Sequence, residues 1–94
     1  MSLPNNGWKN KSGTAKRSCS PCGSWKDHWV SKTKQSWPTP CSAGGCVGTA
    51  SVGAHVFNSN VTGERIVPLC YSCNGIDSEF SIKGGVHLAH AVEC

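Results

Sequence analysis

This chain of 94 residues is short of acid, of aliphatic side chains and of long apolar runs. It holds five Asp and Glu against nine Lys and Arg, one Met and one Tyr. Val, Ile, Leu and Phe together number 16, about a sixth of the chain, which is below the level of roughly 20% at which a core closes on apolar burial alone. No run approaches membrane-spanning length, which excludes a transmembrane helix. The first residues are polar and lack the apolar segment of a signal peptide, so the expectation is an intracellular protein without a membrane partner. With the acids scattered, no paired-carboxylate site is legible, no Gly-rich phosphate loop opens a helix, and none of the many Ser sits in a nucleophile motif with His and Asp.

What the chain does have is seven Cys and four His. A small domain poor in aliphatics needs disulfides or metal to offset the entropy of ordering its Gly and polar residues. The sequons Asn10-Lys11-Ser12 and Asn60-Val61-Thr62 fit a secreted, disulfide-bonded scaffold. An odd number of Cys, the absent signal segment and the metal-knuckle spacing favour zinc. Cys41 and Cys46 flank a CxxxxC turn with two Gly, and Cys70 and Cys73 form a CxxC. Two such turns supply the four sulfurs that a tetrahedral Zn²⁺ takes at a closed structural site.

Cys19-Ser20-Pro21-Cys22-Gly23 has the form of a third knuckle, so one or two Zn²⁺ ions are expected. Cys94, His28, His55, His87 and His90 are candidates to complete a second site, with Cys19, Cys22, Cys94 and His28 the favoured set. A cross-braced pairing of Cys19/Cys22 with Cys70/Cys73 uses the same residues and stays open.

Charge divides the chain. Residues 1–37 carry Lys9, Lys11, Lys16, Arg17, Lys26, Lys32 and Lys34 against Asp27 alone, and all four Trp lie there too. Cations beside flat rings suit phosphates and stacked bases, which makes nucleic acid the expected partner, with Trp25 and Trp29 as candidate stacking residues. The same two Trp, four apart on a short helix, also suit core anchors, and a protein partner would use Trp25, Trp29 or Trp37 at an interface.

Along the chain, Met1 to Ser18 has no apolar period and reads as a flexible basic tail, with a single zinc-binding domain over residues 19–94. Ser24 is a candidate N-cap for a helix over Trp25 to Ser31, and Lys32 to Pro40 reads as a linker or irregular loop. Ser51 to Phe57 and Arg65 to Leu69 are β-prone and separated by a turn region, a β-hairpin with His55 on its first strand. After Cys73 the pattern allows about one turn of helix. Gly84-Gly85 then predicts a second hairpin, Glu79 to Lys83 with Val86 to His90. The fold class is therefore a small zinc-stapled α+β domain with β-hairpins and one or two short helices.

A knuckle, a hairpin and a second knuckle that opens a short helix is the order of a treble-clef zinc finger. Ala54-His55-Val56 and Val67-Pro68-Leu69-Cys70-Tyr71-Ser72-Cys73-Asn74 resemble the core of HNH-type treble-clef proteins over residues 41–76. The resemblance implies a metal-dependent nuclease in which His55 is the general base and Asn74 helps to hold a divalent ion. The pattern is incomplete here. Ala54 replaces the usual acid, Asn74 stands where a metal-binding His is common, and Arg65 or Ile66 falls where a middle Asn is expected. His55 is accordingly weighed as catalytic, zinc-ligating or structural. The leading reading is a binding module rather than an enzyme.

Overall fold

The computed structural model of the protein describes residues 4–11, 25–76 and 78–91. Its centre is a four-stranded antiparallel sheet in the order β1-β2-β3-β4. β1 is Trp8–Asn10, β2 is Val52–Asn58, β3 is Arg65–Leu69 and β4 is Ala89–His90, while the helices are α1, Trp25–Thr33, and α2, Tyr71–Asn74. The predicted first hairpin and the α1 helix are present. In β2–β3, Ala54 faces Val67 and His55 faces Ile66.

Strand alternation divides this hairpin between two cores. Ala54, Val56, Val67 and Leu69 turn to one face, where they pack with Trp8, Cys41, Cys73 and Ile82. Ile66 turns to the other, against Trp29, Ala89 and Ala91, with Trp25 and Trp37 around them. The sheet is thus covered on one side by the cysteine loops and on the other by α1. Residues of α1 reach β2, β3 and β4 alike.

The N-terminal segment corrects the expected tail. Trp8 pairs with Asn58, Lys9 with Phe57 and Asn10 with Val56, so residues 8–10 form the outer strand next to β2. Trp8 is fully buried, and its indole Nε1 donates to the Pro4 carbonyl at 2.8 Å. A three-residue strand carries no readable period. Its stability comes from one large ring, which repays its ordering by removing about 150–250 Å² from water. Residues 1–3 and 12–18 of the predicted tail, with Lys16 and Arg17, lie outside the described residues, as do Cys19, Cys22, the Ser24 cap and Cys94.

The predicted C-terminal hairpin is also corrected. The chain does turn at Gly84-Gly85, where Gly85 has φ of 81°, a conformation that glycine adopts without penalty. Its two flanks do not pair with each other. Phe80 bridges Trp8, Ile82 bridges Ala43, and β4 pairs with β3 through Ala89–Ile66 and His90–Arg65. Hydrogen bonds from Phe80 N to Trp8 O, Ile82 N to Asn5 O and Lys83 N to Ser42 O tie the 80–83 stretch to chain far away in sequence. The turn signal was local and correct, while the pairing was decided by the sheet edge and by the buried Trp8.

Candidate metal centre

Two local structures bring four sulfurs together. In the first, Cys41 N donates to Gly48 O at 2.8 Å and Cys46 N to Ala43 O at 3.1 Å, which closes the loop around Gly44-Gly45. Gly45 has φ of 78°, so the tight reversal needs a residue without Cβ strain. In the second, β3 ends at Leu69 and the chain turns directly into α2. Cys70 is the N-cap, with φ −76° and ψ 165°, and its sulfur accepts from Cys73 N. Antiparallel pairing of β2 and β3 returns the chain to its start, so the second turn lands beside the first.

The outcome is a cluster of Cys41, Cys46, Cys70 and Cys73 whose sulfurs all lie within 4.8 Å of one another. Four sulfurs at about 2.3 Å from a tetrahedral Zn²⁺ stand about 3.8 Å apart by geometry, and Cys46 Sγ and Cys70 Sγ are 3.8 Å apart. The cluster is therefore capable of coordinating a metal ion. Backbone donors add to the fit. Gly48 N points at Cys46 Sγ at 3.4 Å, Cys70 N at Cys41 Sγ at 3.3 Å and Cys73 N at Cys70 Sγ at 3.4 Å. Such donors favour a charged sulfur over a neutral thiol.

The four thiols are not equivalent. The amide of Cys73 draws the Cys70 thiol down to about 7, against the partial opposition of burial. Burial pushes the Cys41 thiol up. Burial, followed by the neighbouring thiols, raises Cys73 as well. A dicationic ion at the centre would favour the thiolate at all four, because it neutralises the charge that burial penalises. Lys83 adds a positive charge at the rim, its Nζ donating to the Cys46 carbonyl at 2.7 Å. Lys83 was not singled out in the sequence, where an isolated Lys carries no signal.

His55 is not part of this centre. It alternates with Ala54 and Val56, whose side chains face the cysteines, so its ring lies on the α1 side of the sheet. There the ring meets Trp25 edge-on, centroids 4.6 Å apart. Its Nε2 is 2.9 Å from Glu64 Oε1, within ion-pair distance, and its side chain is 1% exposed. Glu64 Oε2 in turn lies 3.9 Å from Lys11 Nζ. Asn74 is exposed on α2, on the cysteine side, with its amide donating to Cys70 O. The two residues expected to act together thus occupy opposite faces of the hairpin. Glu64, the neighbour His55 does have, escaped the sequence reading because it precedes β3 and reaches back diagonally across the turn.

His28 lies on α1 and is fully buried, with Nε2 2.7 Å from the His90 carbonyl. Trp25 bridges the two imidazoles, meeting His28 edge-on at 5.3 Å. Trp29 is 3% exposed, donates from Nε1 to His87 O and packs edge-on against Trp37. Trp29 presents no open face to stack a base on, so the stacking role expected of it is corrected to core anchoring, while Trp25 is half-buried and packs against the same core. Of the candidate phosphate contacts, Lys9 is half-buried in β1, while Lys11, Lys26, Lys32 and Lys34 are exposed. The Lys26 ammonium sits 5.1 Å over the Trp37 ring.

Compared with known protein families, curated proteins and solved structures, the chain matches none. The reading of this centre therefore rests on its own geometry. No helix among the described residues is long and apolar enough to cross a membrane.

Proposed function

We propose that the chain is a zinc-binding module of treble-clef type that serves as a scaffold for binding nucleic acid. The observation that carries it is the cluster of four sulfurs within 4.8 Å of one another, two from a loop before the β2–β3 hairpin and two from the turn that opens α2. Supporting the partner are the exposed side chains of Lys11, Lys26, Lys32 and Lys34, on a chain of net charge +4. With Trp29 packed inside and Trp25 half-buried, the contacts would be mainly to phosphate and largely independent of sequence.

The test has two arms. Native mass spectrometry of protein purified without added metal counts the ions and tells zinc from iron, the other metal that a tetrahedral four-sulfur set accepts. Fluorescence anisotropy with single-stranded and duplex oligonucleotides across a salt series then tests the partner. Affinity should fall steeply with salt, and replacing Lys26, Lys32 and Lys34 by Ala should lower the salt slope by about one for each phosphate that is no longer neutralised. Binding that ignores salt overturns the nucleic-acid reading and leaves the metal reading standing.

A second ion, held by Cys19, Cys22, Cys94 and His28, forms part of the same proposal. A carbonyl can only accept, so the contact between His28 Nε2 and His90 O places the ring proton on Nε2. In that tautomer a metal would be taken by Nδ1, with the carbonyl as the orienting partner of the ring. A stoichiometry of two supports the second site, and one rules it out.

A protein-interaction role is the second reading. It is favoured by Val47 and Tyr71, which are 96% and 73% exposed and each directly follow a cysteine of the cluster. The nuclease alternative, with His55 as base and Asn74 on the ion, has less behind it. A general base must reach water, and the His55 ring is enclosed by Trp25 and Glu64.

A further inference from the structure

The four cysteines of the cluster differ in exposure, and the difference is paired. Cys41 and Cys73 are buried, while Cys46 and Cys70 are half-exposed. Each half-exposed cysteine comes from a different turn, and their sulfurs are 3.8 Å apart. Gly48 borders both. A Cβ placed on Gly48 would lie 3.4 Å from Cys70 Sγ and 3.5 Å from Cys46 Sγ, ordinary contact distance, so the absent side chain is what leaves this pair uncovered. Gly48 is not in a positive-φ conformation, and the backbone does not require glycine there.

We infer that the centre is a redox-sensitive latch in which hydrogen peroxide oxidises Cys46 and Cys70 to a disulfide and expels the metal. The inference rests on the zinc reading of the cluster. One of the two exposed thiolates attacks a peroxide oxygen. A sulfur–oxygen bond forms, the oxygen–oxygen bond breaks and hydroxide leaves. The second thiolate then attacks that sulfur, forming the sulfur–sulfur bond and displacing a second hydroxide. Two thiolates have lost two electrons, the peroxide has been reduced, and two protons from solvent complete two waters. With two of four ligands gone, Zn²⁺ departs and Cys41 and Cys73 take up protons. The sulfurs need to close from 3.8 Å to about 2.05 Å, a movement within reach of side-chain rotation in exposed turns. The consequence is a link between the knuckle loop and the start of α2 that replaces the metal.

The test treats the zinc-loaded protein with limiting hydrogen peroxide, follows zinc with a chromogenic chelator, and maps disulfides by non-reducing peptide mass spectrometry. The expected result is zinc release in step with a Cys46–Cys70 link and the loss of two hydrogens. Gly48→Leu should keep its zinc and release it several-fold more slowly. A first link between Cys41 and Cys73, or equal release rates in Gly48→Leu and the parent, would overturn the latch. So would zinc retained while thiols outside the cluster oxidise. Protein that never binds zinc fails the metal reading instead, and is recognised before peroxide is added.

Discussion

Gly53 of β2 lies directly beneath Trp25 of α1. A Cβ on Gly53 would come within 2.6 Å of the Trp25 carbonyl carbon and 2.7 Å of the Lys26 amide nitrogen. These are backbone atoms that cannot rotate away. The helix therefore rests on the sheet at the one β2 position that offers no side chain, and this contact lowers Trp25 onto His55.

Gly53→Ala should lift the first turn of α1 and destabilise the fold by about 1–3 kcal/mol, as overpacking does in close-packed interiors. Chemical denaturation read by Trp fluorescence checks it. Since the four-cysteine cluster is on the opposite face, zinc content of the folded variant should be unchanged.

Trp8→Ala should cost about 3–5 kcal/mol, the range for deleting a fully buried aromatic ring. A deletion that starts the chain at Lys11 should behave similarly, because it also removes the strand that pairs with residues 56–58 of β2. A truncation with unchanged stability in urea would contradict the place of β1 in the sheet.

These two sites show what the sequence could and could not convey. The Cys41/Cys46 and Cys70/Cys73 turns were legible because each is a local structure, and the hairpin between them fixes how they meet. The β2 and β3 strands were legible from their β-branched content. The role of Trp8 was not, since three residues carry no period and burial of the ring depends on Phe80, more than seventy residues away. The Gly84-Gly85 turn was readable, but the partners of its flanks were not. Phe80 and Ile82 join the N-terminal segment and the knuckle loop, while Ala89 joins β3, and no feature of residues 79–90 encodes that choice. His55 could be placed on its strand. Its enclosure by Trp25 and Glu64 depends on where α1 docks.

Metal removal should unfold or loosen the cysteine side of the sheet. Binding energy at structural zinc sites is folding energy, of order 10–16 kcal/mol in small finger peptides at neutral pH. Cys73→Ser leaves three sulfurs and should release the ion to a chelator far more readily than the parent. Circular dichroism and thermal denaturation with and without chelator measure the loss. Because Trp25 lies across the sheet, its near-UV signal should persist longer than that of Trp8 as metal is withdrawn.

The pH dependence follows from the thiols. In the metal-free, reduced protein, Cys70 falls from the ordinary value of 9.0 to about 7, chiefly through the Cys73 amide. Its folded form therefore favours the thiolate, and the stability this adds is present above 9 and lost as pH falls through about 7. Cys41 and Cys73 are shifted the opposite way, chiefly by burial. Their contribution is present below 9 and lost at higher pH, where the unfolded chain ionises first. The denaturation midpoint of chelator-treated protein should accordingly rise between about 7 and 9 and fall beyond it. Zinc adds a separate acid limb, since each thiolate ligand competes with a proton and affinity must drop as pH falls. Urea midpoints over this range, with reductant present, separate the two effects: the zinc-loaded protein should lose its advantage over the metal-free form on the acid side.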